Sequence, residues 1–182
     1  TYESAAAFVR LHYFDQISPL AGFVPYAPII RESADTARSS AAGTWSIPDL
    51  IAVRYVDLPL AGVGLTEVHA FEVKPGRSLA LPAAYEAAAQ TRGAHFGTVI
   101  AHTGSACDEP MHLREVIEAC EHFGLGLCLI WGSVSGAPLQ GDLLRRPKRR
   151  DPEPEAVEAA LEILLTAADQ KHLLEWRRRG AR

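Results

Sequence analysis

The strongest constraint in this sequence is a succession of periods. Thr66 to Lys74 alternates apolar and polar side chains, Pro75 and Gly76 stop it, and Leu81 to His95 is dominated by alanine with Tyr85, Glu86 and Gln90 among it. Gly97 to Ala101 is again short and apolar. After Asp108, a plausible helix cap, Leu113, Val116, Ile117, Cys120 and Phe123 recur at helical spacing, and Gly124 closes that stretch before the unbroken apolar run Leu125 to Trp131. Period two marks a half-buried strand, alanine favours helix, and a continuous apolar run of strand length marks a strand buried on both faces. The order strand, helix, strand, helix, strand then requires crossovers between parallel strands, since a tight turn joins only antiparallel ones.

Upstream, Ile47 to Val56 is rich in Ile, Val and Leu, and the Pro59 to Gly64 turn region joins it to Thr66 to Lys74 as a hairpin. Tyr2 to Phe14 has approximate helical spacing, and Ser33 to Gly43 has loop composition. Beyond Pro152 and Pro154, Val157, Ala160, Leu161, Leu164 and Leu165 share one helical face. The expected fold class is α/β: a mixed β-sheet in two or three layers, with a hairpin feeding it, flanking helices and a C-terminal helical segment.

The chain has 182 residues, 48% of them hydrophobic and 22% charged, enough to bury a core without disulfides. Cys107, Cys120 and Cys128 are odd in number and form no CxxC pair, so neither a disulfide framework nor a cysteine zinc site is indicated, and a reducing cytoplasm is expected. No run of eighteen apolar residues and no signal-peptide pattern occurs, so no membrane partner is expected. The first residue is Thr1, which leaves room for further domains outside this chain. The net charge of −4 divides into −7 over residues 1–144 and +3 over 145–182. A globally acidic chain is no non-specific polyanion binder, yet a local basic patch can contact phosphates.

Chemistry concentrates on the hairpin. Pro48-Asp49 is followed, on the next strand, by Glu72-Val73-Lys74. Period two sets Val68, Ala70, Glu72 and Lys74 on one face and His69, Phe71 and Val73 on the other. Two carboxylates from adjacent strands can hold Mg²⁺ while leaving positions for water and a phosphate oxygen, and the Val73 carbonyl can add a ligand.

In type, order and strand context these residues resemble the motif of the PD-(D/E)xK nuclease superfamily, whose restriction-endonuclease-like core runs helix, three strands, helix, strand, and the resemblance covers roughly Tyr2 to Trp131. Trp45 to Leu50 and Phe71 to Ala101 are similar, more narrowly, to endonuclease-like domains of bacterial restriction-associated proteins. The resemblance implies a metal-dependent nuclease, a hydrolase acting most readily on DNA, in restriction or phage defence. It implies Mg²⁺, with Mn²⁺ as substitute, held by Asp49 and Glu72, and Lys74 orienting the attacking water and offsetting phosphate charge. It further implies a polar residue from the following helix, Gln90 first and Glu86 second, and an acid from the first helix, Glu3, with Glu32 as rival. Residues 1–144 would form the nuclease-like domain, and 145–182 a basic joint and helix packed on it or extending it. Double-strand cleavage would call for two sites, as in a homodimer.

Arg145, Arg146, Lys148, Arg149 and Arg150 could track a nucleic-acid backbone, or form a solvated joint before the acidic helix start at Asp151, Glu153 and Glu155; the sequence weighs these equally. The alternative function is a non-catalytic nucleic-acid-binding or assembly module on the same fold. Other signatures fail: no histidine pair has zinc-finger spacing, Val134 stands where a GxSxG elbow needs serine, and no P-loop or complete dinucleotide loop is present.

Overall fold

The computed structural model describes residues 1–17, 26–33, 47–58 and 63–180, with residues 179 and 180 described by backbone alone. The loop expected between Ser33 and Gly43 lies, from residue 34 onward, outside the described residues, as do Trp45, Ser46 and the start of the turn expected at Pro59.

The fold is α/β, with a six-stranded mixed sheet in the order β1-β2-β3-β4-β5-β6. Its strands are β1 (Ile29–Glu32), β2 (Leu50–Leu58), β3 (Val63–Pro75), β4 (Phe96–His102), β5 (Gly126–Trp131) and β6 (Gln140–Arg145). β2 and β3 form the expected antiparallel hairpin, and β3, β4 and β5 run parallel, as the alternation of periods requires. β1 and β6 add antiparallel edges that were not anticipated. β1 has only four residues, and β6, Gln-Gly-Asp-Leu-Leu-Arg, alternates between half-buried and exposed as an edge strand does, so neither carries a strong apolar signal.

Helices cover both faces. α1 (Tyr2–Phe8) continues through a π-helical turn (Val9–Tyr13) into α2 (Phe14–Ile17), packing Ala5, Phe8, Val9 and Tyr13 against Leu50, Phe71, Val73, Ile100 and Ile130. On the opposite face α3 (Leu81–Gln90) and α4 (Leu113–Phe123) cover Val99, Ala101 and Leu127. α5 (Pro154–Leu164) and α6 (Ala167–Gly180) cover Ile51, Val53, Val68 and Ala70 on that same face. The architecture is therefore three layers. Among the described residues no helix is long and apolar enough to cross a membrane.

Local chemistry sets the boundaries. α3 ends at Gln90, short of the expected His95, where Thr91 turns its hydroxyl onto the Ala88 carbonyl at 2.6 Å. α4 ends as expected at Gly124, whose φ of +65° favours glycine. Its N-cap is His112 rather than Asp108, and no side chain caps it. The single C-terminal helix expected from periodicity is two. Thr166 and Asp169 form a reciprocal capping box, with the Thr166 N–H donating to Asp169 Oδ2 at 3.1 Å and the Asp169 N–H to Thr166 Oγ1 at 3.3 Å. Asp169 also takes a two-pronged Arg31 ion pair at 2.6 and 2.7 Å, tying α6 to β1.

Candidate metal and phosphate site

Asp49 lies just before β2, and the β2–β3 register, which pairs Leu50 with Phe71, sets it opposite Glu72 when extended by one residue. Its backbone carbonyl accepts the Ser33 N–H at 3.0 Å, and its Oδ2 accepts the Val73 N–H at 2.8 Å. One carboxylate oxygen is thus anchored to the strand that carries Glu72. The other, Oδ1, meets the Tyr2 hydroxyl at 3.4 Å, a long contact for an O–H donor. Val73 lies past the last β2–β3 pair, so that ladder does not consume its carbonyl.

Glu72 projects from the opposite face to Val73, beneath α3. That helix comes close because Ala83, Ala84 and Ala87 face the sheet and because position 97 is glycine: a Cβ there would lie 2.5 Å from Thr91 Cγ2 and 3.2 Å from the Ala87 carbonyl. Glu86 and Gln90, one helical turn apart, therefore reach the strand. Gln90 donates from Nε2 to Glu72 Oε2 at 2.5 Å and to the Ile47 carbonyl at 3.4 Å. Lys74 pairs through Nζ with Glu72 Oε1, and with Glu86 Oε2 at 2.7 Å.

Charge is unevenly held here. Burial pushes the Glu72 carboxyl up to about 8; its hydrogen bond with Glu86 and the Asp49 charge add to this, and Lys74 opposes it. Glu86 shifts the other way: burial would raise it, but hydrogen bonds from Glu72 and Lys74 hold it below the usual carboxylate range. The pair thus shares a proton that resides on Glu72, the more buried of the two. Burial works against the Lys74 ammonium, yet its bonds to Glu72 and Glu86 raise it further above its ordinary value. Tyr2 is raised by burial and by the Asp49 charge.

Asp49, Glu72, Lys74, Glu86 and Gln90 are therefore brought together from β2, β3 and α3. The donor set is two opposed carboxylates with a carbonyl beside them, oxygen ligands suited to Mg²⁺. Among the described residues no group of three or more His, Cys, Asp or Glu side chains is arranged to hold a metal. A cation here would rely on Asp49, Glu72, the Val73 carbonyl and water, and Lys74 would release Glu72.

Other candidates lie elsewhere. Glu3 is exposed in the first turn of α1 and forms no side-chain hydrogen bond among the described residues. Glu32 ends β1 opposite Leu50, which puts its side chain on the α1 face, away from Glu72. The first helix reaches the site through Tyr2 instead, a residue that no sequence motif singled out.

The basic stretch is tied to the fold through three of its five cations, while Arg146, Lys148 and Arg149 are exposed. Arg145 closes β6 and pairs with Glu121 at 3.1 Å. Arg149 pairs with Glu67 at 3.1 Å, joining the buried ion pair of Arg54 and Glu67 at 2.6 Å. Arg150 donates its side chain to the Phe123 carbonyl and its backbone N–H to that of His95 at 2.8 Å. The side chains of Arg146 and Lys148 are exposed and form no ion pair among the described residues. The stretch follows the edge where β4 and β5 begin, three strand positions from the level of Glu72.

No family model, curated protein or solved structure matches the chain.

Proposed function

We propose that this chain is a Mg²⁺-dependent nuclease of the PD-(D/E)xK type, hydrolysing phosphodiester bonds, with DNA as the substrate. The observation that carries this reading is the convergence of Asp49, Glu72, Lys74 and Gln90, residues separated in sequence, on one spot between the hairpin and α3. Bound Mg²⁺ would polarise the phosphate and lower the pKa of a coordinated water. Asp49 and Glu72 would hold it. Lys74 would turn from the carboxylates toward the phosphate oxygens, and Gln90 would keep Glu72 in place. The restriction or phage-defence role belongs to the same proposal.

One observation favours the second reading, a binding module without catalysis: the Lys74 ammonium already occupies both Glu72 and Glu86. The two readings separate on plasmid digestion with Mg²⁺. Asp49→Ala and Glu72→Ala, each folded by circular dichroism, should lose cleavage that the parent chain performs; wild-type cleavage by either variant would overturn the nuclease proposal, and no cleavage by the parent would favour the binding module.

A further inference from the structure

Among the described residues three side chains donate to the acids of the site, and two of them are fully committed. Lys74 holds Glu72 and Glu86, and Gln90 divides its amide nitrogen between Glu72 and the Ile47 carbonyl. The third is Tyr2. Its hydroxyl makes one hydrogen bond among the described residues, to Asp49 Oδ1 at 3.4 Å, longer than the roughly 2.5–3.0 Å of a well-formed O–H donor. That oxygen is the one Asp49 does not spend on the Val73 N–H. The helix behind the phenol is fixed: Ser4, Ala5, Ala6 and Phe8 are buried, and Phe8 lies in the core with Leu50, Phe71 and Val73, the neighbours in sequence of Asp49 and Glu72. Tyr2 itself stays 44% exposed, open to a ligand arriving from solvent.

We propose that Tyr2 is a substrate contact, its hydroxyl donating to a non-bridging oxygen of the phosphodiester bound beside Asp49 and Glu72. The inference rests on the nuclease reading and adds a residue to it. A cation taking Asp49 Oδ1 would leave the phenol without an acceptor, and a phosphate drawn to that cation supplies one. A phenol, with a pKa of about 10, keeps its proton at neutral pH and can donate it to an oxyanion. The carboxylates themselves repel a phosphate. Of the side chains that donate to them, Tyr2 alone can turn to it without breaking an ion pair or a well-formed hydrogen bond. The first helix thus brings a donor where an acid was expected, since Glu3 and Glu32 lie elsewhere.

The test uses the chain with its five tyrosines fluorinated on the ring, followed by fluorine NMR at saturating Mg²⁺, with Tyr2→Phe identifying the Tyr2 signal by its loss. Dimethyl phosphate, a diester without a base, and inorganic phosphate are titrated in separately. Dimethyl phosphate should shift the Tyr2 signal and leave those of Tyr13, Tyr26, Tyr55 and Tyr85 in place. Tyr2→Phe should bind the diester about tenfold more weakly, the equivalent of one lost hydrogen bond to a charged group, read from the phosphorus signal of the ligand. Its Mg²⁺ affinity, measured by calorimetry, should not fall. Diester binding by Tyr2→Phe at the parent affinity, an unmoved Tyr2 signal, or a loss of Mg²⁺ affinity in the variant would each overturn the proposal. So would a response to inorganic phosphate alone, which would make the ligand a free or terminal phosphate. Plasmid cleavage by a chain whose Tyr2 signal stays unmoved would refute this contact alone; a Tyr2 signal that responds in a chain that cuts nothing would refute the nuclease reading alone.

Discussion

Asp49 and Glu72 oppose each other across the end of the β2–β3 hairpin, and Asp49 spends one oxygen on the N–H of Val73, the residue that follows Glu72. The acid on one strand is thus fixed by the strand that bears the other. Burial, with the Glu86 hydrogen bond and a smaller repulsion from Asp49, pushes the Glu72 carboxyl up to about 8, so it holds its proton at neutral pH.

That proton predicts a pH dependence of stability. The folded Glu72 pKa of about 8 lies above its ordinary value, so the folded state binds the proton more tightly than the unfolded one. The resulting stability is present below the ordinary carboxylate pKa and is lost as pH rises through 8. Gln at position 72 stays neutral and escapes this loss. Between pH 6.5 and 8 the stability of Glu72→Gln should gain on that of the parent by about 2 kcal/mol, measured as the difference of urea unfolding curves. Parallel curves across that range would place the shared proton elsewhere.

Lys74 offsets the carboxylates but is not one of the oxygen donors. Lys74→Met should therefore bind Mn²⁺ at least as tightly as the parent, since the cation no longer displaces an ammonium from Glu72 and Glu86. On the proposed nuclease function, cleavage should fall by at least about 100-fold, because a charge turned toward the phosphate would act on the transition state. Calorimetry with Mn²⁺ and plasmid digestion read the two effects separately; loss of metal binding would make Lys74 a structural residue.

Tyr2 touches the oxygen of Asp49 that a cation would need. At 3.4 Å the bond is weak, so Tyr2→Phe should cost under about 1 kcal/mol of stability. Mn²⁺ affinity should stay level or rise a few-fold, roughly the effect of one weak bond no longer broken on binding. A calorimetric titration showing weaker Mn²⁺ binding would instead make the phenol a support for Asp49.

The parts of this arrangement legible in the sequence are those with period or chemistry of their own. Glu72 and Lys74 share a face because a strand repeats every two residues, and Glu86 and Gln90 share one because a helix repeats every 3.6. The alanines of α3 and the Pro-Gly stop after Lys74 placed that helix over that strand. Tyr2 was not legible, because its approach depends on where α1 docks, and nothing local encodes that. The ties of the basic stretch were not legible for a related reason: Glu121, Glu67 and the Phe123 carbonyl, which hold Arg145, Arg149 and Arg150, are all distant from them in sequence.

His69 sits fully buried among Tyr13, Phe14 and Phe96, and neither ring nitrogen has a hydrogen-bond partner. Its Nε2 is 3.7 Å from Glu67, too far for a hydrogen bond. Burial lowers its pKa to about 4, so the folded state refuses a proton that the unfolded state accepts. The stability linked to the neutral ring is present above the ordinary histidine pKa and lost as pH falls through 4. His69→Phe should be near neutral at pH 7 and should flatten the acid side of the stability profile between pH 6.5 and 4. A variant as acid-sensitive as the parent would show that another group governs that limb.

The contacts of the basic stretch decide how its role must be tested. Replacing Arg145, Arg146, Lys148, Arg149 and Arg150 together with serine would strip the Arg149 partner from Glu67, beside the buried Arg54, and the Arg150 donor from the Phe123 carbonyl. That variant should be destabilised by about 2 kcal/mol or more, so weakened DNA binding by it would say little about phosphate contacts. Arg146 and Lys148 are exposed and uncommitted among the described residues, so changing these two alone leaves the fold intact. If both touch duplex phosphates, the slope of log K against log salt should fall in magnitude by roughly 1.8, at 0.9 per contact. Fluorescence anisotropy across low and moderate salt measures that slope. An unchanged slope in the double variant would remove this edge from the nucleic-acid path and make Arg92, two residues beyond Gln90 and exposed, the cation to test next.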